Sequence, residues 1–290
     1  MREVAVISGK GGTGKTSVTA ALAVLAGRCV VADCDVDAAD LHLLLAPSRS
    51  ARHEVAGGHL AAIRPEACNG CGECASLCRF DAVRVSADTA GATQYAVDPL
   101  ACEGCGVCVR FCPESAIDLT ETVCGAWMES ETRCGAMVHA RLAVAAENSG
   151  KLVSIVRHEA RRVAEELGED LVLVDGPPGI GCPVIAAVTG ADLVLIVTEP
   201  TVAGAHDLDR VLALANHFRI PAAVCVNKWD LDPEMAAQIE ERARAAGARA
   251  VGRIRYDGGV TAAQIAGLTV VETAAAAADD LRRLWQRLNE

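Results

Sequence analysis

The stretch VAVISGKGGTGKTS, residues 4–17, decides the fold. Val4–Ile7 is a short apolar run, and Thr16–Ala26 has the pattern of a buried helix closed by Gly27. Between them, Gly9–Thr16 fits G-x-x-x-x-G-K-[ST]. Strand, glycine-rich loop and helix in that order let backbone N–H groups converge on phosphate oxygens. The expected nucleotide-binding residues are Gly9, Lys10, Gly11, Gly12, Thr13, Gly14, Lys15, Thr16 and Ser17. Lys15 should reach the β- and γ-phosphates, and Thr16 should ligate Mg²⁺.

Outward from this loop the pattern alternates. Cys29–Ala32 is a second strand ending at Asp33, and Asp40–Leu45 a short helix. The run APSRSARHEVAGGH, residues 46–59, is loop-like. Regular alternation resumes near Lys151, with an amphipathic helix over Arg157–Leu167 and apolar strands at Leu171–Val174, Leu193–Val197, Ala222–Val226 and Arg249–Ile254. Fully apolar strands separated by helices imply an α/β fold, with a mostly parallel sheet covered by helices on both faces. Such sheets bind ligands at the carboxyl ends of their strands. Asp175 closes one of them, where a carboxylate can hold Mg²⁺-bound water.

The alternation is interrupted by an internal repeat. CNGCGECASLCRFDAVRV, residues 68–85, aligns without gaps to CEGCGVCVRFCPESAIDL, residues 102–119. The division is therefore residues 1–60 and 121–290 for the nucleotide domain and 61–120 for an insert. Each repeat holds C-x2-C-x2-C-x3-C. Three thiolates on one tight loop can reach three corners of one cubane, and the fourth belongs to the other cluster. The expected sets are Cys68, Cys71 and Cys74 with Cys112, and Cys102, Cys105 and Cys108 with Cys78. Structural zinc would use paired C-x2-C knuckles instead.

Composition bounds the alternatives. A net charge of −11 weighs against a nucleic-acid partner. The opening MREVAVISG lacks the order of regions found in a secretory leader, and no apolar run has the length of a membrane span. A cytoplasmic location is the expectation. Fourteen cysteines in a reducing compartment read as metal ligands before disulfides.

The insert resembles the bacterial two-[4Fe–4S] ferredoxins. Cys112 is followed by Pro113, as that resemblance implies. Cys78 is followed by Arg79, a cation expected to raise the potential of the cluster that Cys78 helps hold. Lys10, directly after the first loop glycine, resembles the signature lysine of the deviant Walker A ATPases, the group of MinD, ParA, the nitrogenase iron protein and Mrp. In that family this lysine reaches the partner's nucleotide across a dimer interface, acting on developing phosphate charge. VVADCDVDAADL is similar to the family's switch I, which implies that Asp35 positions the attacking water and that Asp33 assists Mg²⁺. LVLVDGPPGIG resembles switch II, which implies a magnesium role for Asp175 and loop mobility at Gly176 and Gly179. AVCVNKWD places Asn227 where the family reads adenine. With the insert, the chain resembles MinD-like ATPases containing an inserted ferredoxin domain. Two [4Fe–4S] clusters, ATP or ADP, and Mg²⁺ are the implied cofactors.

Other residues carry weaker signals. Cys182 lies seven residues after Asp175, the offset of a cluster ligand in the nitrogenase iron protein, so it is a candidate further ligand with Cys124 or Cys134 as companion. Cys29, Cys34 and Cys225 read as core residues. Asp37, Asp40, Asp230 and Asp257 read as caps or solvated loop residues. The last helix, DDLRRLWQRLNE, reads as packed on the sheet rather than membrane-bound.

These expectations amount to a slow Mg²⁺-dependent ATPase, dimeric with itself or with a related ATPase, that gates electron transfer to a redox client. The alternatives are a maturation scaffold delivering a metal cluster to a client, and a MinD-like positioning protein with structural clusters.

Overall fold

The computed structural model describes residues 1–87, 93–143 and 149–290. Its strands are β1 (Arg2–Ser8), β2 (Val30–Asp33), β3 (Ser48–Ile63), β4 (Val83–Ala87), β5 (Thr93–Val97), β6 (Ile117–Thr132), β7 (Gly135–Leu142), β8 (Leu171–Pro178), β9 (Leu193–Thr198), β10 (Ala222–Asn227) and β11 (Arg249–Ile254). Nine form one sheet in the order β11-β10-β9-β1-β8-β2-β7-β6-β3, and β4 pairs with β5 separately. The β1–β8, β1–β9, β9–β10, β10–β11, β2–β8 and β2–β7 pairs are all parallel. β1 sits between β8 and β9, where the strand order reverses, so its carboxyl end opens at the ligand-binding crevice of such sheets.

Contacts divide the chain into two compact units. The first comprises Met1–His53, Trp127–Arg141 and Ser149–Glu290, and the second Glu54–Ala126 and Leu142–Asn148. The second is a wider stretch than the cysteine repeat alone. The chain passes between units within β3, within β6 and again at the end of β7.

Period-two burial is absent from the central strands of the first unit because helices cover both faces. β9 is buried at every residue. One face packs Leu22, Leu173, Leu195, Leu281 and Leu284 into a single cluster. Leu152, Val156, Val163 and Ala164 of the Ser149–Leu167 helix are also buried. The C-terminal helix Ala276–Leu288 puts Leu281, Leu284 and Leu288 into the core, as its apolar spacing predicts. Among the described residues no helix is long and apolar enough to cross a membrane.

One expectation needs correction. Residues 48–63 form a strand, not a loop. Its sequence lacks a clean alternation, and its partners supply the order: His53 stacks on Trp127 at 4.1 Å, and Ser50 Oγ lies 2.6 Å from Ser130 Oγ. Strand and helix alternate again from the helix Ser149–Leu167, as read, but before it β6 and β7 are joined as a hairpin through Arg133 and Cys134. β7 then adds to β2 in parallel.

Candidate functional site

The phosphate loop takes its shape from two glycines. Gly12 and Gly14 have φ of 81° and 89°, the left-handed region that side chains disfavour. At Gly14 a Cβ would also collide with the Asn227 amide, and at Gly9 with Asp207. Beyond the loop, the helix Lys15–Ala26 starts without a side-chain cap on its first N–H groups.

Register then builds the charged centre. Asp33 on β2 stands directly opposite Asp175 on β8. Lys15 Nζ lies 2.9 Å from Asp175 Oδ1 and 3.5 Å from Asp35 Oδ2. Thr16 Oγ1 donates to Asp175 Oδ2 at 2.9 Å. Thr19 Oγ1 donates to Asp175 Oδ1 at 2.8 Å, a contact sequence reasoning missed, although a hydroxyl one turn after Lys15 in an Ala/Leu-rich helix was its signal. Lys15 is only 6% exposed, so its charge must be paired. Burial disfavours its ammonium, but the Asp175 and Asp35 carboxylates outweigh burial and raise its pKa.

The carboxylates are not equivalent. Asp33 is fully buried. Its Oδ1 accepts the Asp35 N–H at 3.2 Å, and its Oδ2 has no partner among the described residues. Burial and then Asp175 push its carboxyl well above the usual range, against the pull of Lys15. Asp35 is raised mainly by burial, with Lys15 opposing. Thr13 Oγ1 is likewise buried without a partner.

One cavity is lined by Lys15, Thr16, Asp35, Asp37, Asp40 and Pro178 among others. Asp37 and Asp40 line this cavity while remaining exposed, and Asp40 stands at the N-cap of the Leu41–Leu45 helix. A second cavity is lined by Val18, Asn227, Ile254, Tyr256 and Val260, and the two share Gly12, Gly14, Ser17 and Gln264. Asn227 therefore lines the cavity on the far side of the loop from Asp35. Its Nδ2 donates to Thr13 O at 2.7 Å and its Oδ1 accepts the Lys228 N–H at 3.0 Å. Asp257 caps the Gly258–Ile265 helix, and Asp230 accepts the Tyr256 N–H.

Of the switch II glycines, Gly179 has φ 94° and donates to Ser8 O at 2.8 Å. Gly176 is different. It is buried inside β8, and a Cβ there would meet Ile7, so close packing rather than mobility demands glycine.

Lys10 Nζ is 2.5 Å from Glu199 Oε1 in its own chain. Glu199 belonged to no motif the sequence displayed, and Lys228, which also reaches this carboxylate, stood in AVCVNKWD without a role of its own.

In the second unit, eight cysteines sort into two groups. Cys68, Cys71, Cys74 and Cys112 line one cavity, with Asn69, Tyr95 and Glu114. Cys78, Cys102, Cys105 and Cys108 line another, with Phe80, Glu103 and Val107. Gly70, Gly72, Gly104 and Gly106 all have positive φ, which turns the loops tightly between thiols. The Ala82 and Ala116 N–H groups donate to Cys78 Sγ and Cys112 Sγ at 3.4 and 3.3 Å. Phe80, not Arg79, lines the second cavity. Among the described residues, no three His, Cys, Asp or Glu side chains close around one metal ion. A cubane demands less convergence, because each thiolate binds a different iron.

Cys182 is exposed at the start of a short helix, whereas Cys124 and Cys134 are buried. Cys29, Cys34 and Cys225 are core residues.

The family model described as the CobQ/CobB/MinD/ParA nucleotide binding domain matches residues 4–270. Uncharacterized protein MJ0578 of Methanocaldococcus jannaschii is 34% identical over 229 residues, 78% of each chain. MJ0579 of the same organism is 36% identical over 62 residues, 21% of this chain and 23% of that one. The cell division ATPase MinD of Pyrococcus furiosus superposes with a TM-score of 0.57 at 18% identity, covering 99% of this chain and 98% of its own. A chain of the MinC:MinD cell division protein complex of Aquifex aeolicus does so with 0.57 at 22% identity, covering 100% and 96%. At these identities the solved structures speak for the fold alone.

Proposed function

Because this chain belongs to the CobQ/CobB/MinD/ParA family of nucleotide-binding domains, we propose that it is a nucleotide-gated iron–sulfur ATPase. ATP binding and hydrolysis at a dimer interface are coupled to electron transfer to a redox client, the partner subunit being a second copy or a related ATPase.

The observation that carries this reading is the sorting of the cysteines. Each group of four takes three thiols from one repeat and the last from the other, the crossed pattern of two cubane sites. The residues fit the group: four thiols per cavity, apolar walls, and a backbone N–H aimed at one sulfur in each. Two [4Fe–4S] clusters, when bound, supply one-electron carriers whose potentials respond to charge, hydrogen bonds and solvent.

The nucleotide side follows from the charged centre. Lys15 neutralises the β- and γ-phosphates. Thr16 and Asp175, already hydrogen-bonded, hold Mg²⁺ between them, and Asp35 orients the attacking water. Asp33 assists from behind, through Asp175 and the Asp35 backbone. Asn227 faces the base. Lys10 acts on the partner's nucleotide. The chain connects the two chemistries directly: Asp33 and Asp35 are followed by Leu41–Leu45 and then by β3, which continues into the cysteine unit.

The test begins with anaerobic reconstitution, which should load about eight irons per chain. Both clusters are then titrated with ADP–Mg²⁺ and with ATP–Mg²⁺, using Asp35→Ala to block hydrolysis. Coupling of ~1–3 kcal/mol would shift potentials by about 40–130 mV. Reduction must then change nucleotide affinity by the same factor. Identical potentials together with identical affinities would sink the coupling.

A further inference from the structure

Lys10 is not a free loop lysine. Its ammonium pairs with Glu199 Oε1 at 2.5 Å, just beyond the end of β9. The other oxygen, Glu199 Oε2, is 3.3 Å from Lys228 Nζ. Lys228 Nζ also donates to the Gly12 carbonyl at 3.2 Å. Ser8 Oγ donates to Lys10 O at 2.8 Å and fixes the backbone from which the lysine springs. One carboxylate is thus held by two cations, one from the phosphate loop and one from the segment after β10. Burial alone would push the Glu199 carboxyl up, yet hydrogen bonds from Lys10 and Lys228 bring it below the usual range.

We propose that Glu199 is the positioning residue for Lys10: it keeps the ammonium within its own chain until a partner's nucleotide phosphate displaces it. The inference rests on the reading of Lys10 as the lysine that acts across the dimer. A lysine ammonium is a point charge on a flexible stem and settles on the strongest anion in reach. In a single chain that anion is Glu199. In a closed dimer it is the partner's terminal phosphate. Lys228 makes the exchange reversible. When Lys10 leaves, Glu199 keeps one cation, so no half-buried carboxylate is left unpaired. Glu199 is 16% exposed and Lys10 34% on their side chains, so the pair is partly shielded and competes with the phosphate rather than dissolving into solvent.

The test has two arms. In the first, ATP-dependent dimer affinity is measured by sedimentation and ATP turnover by phosphate release, for the wild type, Glu199→Gln, Lys10→Ala and the double variant. Glu199→Gln should tighten the dimer and raise turnover about fivefold, the upper range for a partly exposed pair, while single-chain ATP affinity stays within about twofold. In a Lys10→Ala background it should change neither. A Glu199 that merely fastened the loop would instead weaken ATP binding on substitution, and would do so with or without Lys10; either result overturns the proposal. Normal turnover by Lys10→Ala would remove the premise, and the proposal with it. A defective Lys10→Ala beside an unchanged Glu199→Gln would overturn the positioning role alone.

The second arm needs no change at Glu199. A water-soluble carbodiimide activates the Glu199 carboxyl, and the Lys10 amine attacks to form an amide with net loss of water, which the carbodiimide takes up as a urea. Mass spectrometry should find the Lys10–Glu199 peptide pair in nucleotide-free protein and lose most of it when Asp35→Ala protein is saturated with ATP–Mg²⁺. Equal yield in both states, in samples shown to be dimeric with ATP, would overturn the displacement.

Discussion

The phosphate loop and the cysteine loops use the same local device and are held in different ways. Both turn on positive-φ glycines, Gly12 and Gly14 in one and Gly70, Gly72, Gly104 and Gly106 in the other. Both present polar atoms to something the chain itself lacks. The phosphate loop, however, is anchored in a deep apolar core. The largest fully buried side chains, from Ile7 and Leu22 to Leu208 and Leu284, all lie in the sheet unit. Among the described residues of the cysteine unit the buried apolar side chains are mostly small, Ala61, Cys74, Ala82, Ala116 and Ile117 among them, and Phe80, Val85, Leu100 and Phe111 are exposed. A unit with so little buried apolar surface needs another source of stability, and ligated metal is the usual one. On the function proposed above, the first region is organised before its nucleotide arrives, and the second is organised by its metal.

The largest expected effect follows from that contrast. Removing iron should let amides across residues 54–126 exchange at rates approaching a free chain, while β1, β8 and β9 stay protected. Hydrogen exchange with mass spectrometry measures this directly, and equal protection with and without iron would erase the contrast. Next comes the charged centre. Lys15→Ala leaves Asp175 and Asp35 without their cation, at a cost of about 3–5 kcal/mol in denaturant unfolding of the sheet unit, and ATP–Mg²⁺ should no longer raise the melting temperature. Leu284→Ala opens the apolar core and should cost about 2–5 kcal/mol, with exchange in the cysteine unit unchanged. If that exchange rose as well, the two units would not be independent.

The smallest effect is a pH dependence. Burial, with His42 and Arg141 adding, lowers His139 from 6.5 to about 4. A depressed histidine binds fewer protons folded than unfolded. Its contribution is therefore complete above about pH 6.5 and is lost as the pH falls toward 4. His139→Gln should flatten that part of the stability profile, and an unaltered slope would place its origin elsewhere.

Much of the sheet unit was legible because its signals are local and dense. A glycine-rich loop between an apolar strand and a helix has one main physical use, and unbroken apolar strands demand a covered parallel sheet. The cysteine spacing was legible for the same reason. β3 was not, because residues 48–63 draw their order from pairing with β6, 80 positions away along the chain between Ser50 and Ser130. Thr19 was overlooked because threonine in a helix carries no motif. Gly176 was assigned mobility because its packing against Ile7 is invisible in one dimension.

The sequence by itself determined which atoms are available: two lysines on a phosphate loop, aspartates at strand ends, and eight thiols at repeated spacing. Their local conformation follows from short-range sterics, which neighbouring residues set. Only the tertiary structure decided which of them meet. Strand register put Asp33 opposite Asp175, and the parallel packing of β1, β9 and β10 brought Glu199 between Lys10 and Lys228. Charges distant along the chain interact by their separation in space, and chain closure sets that separation.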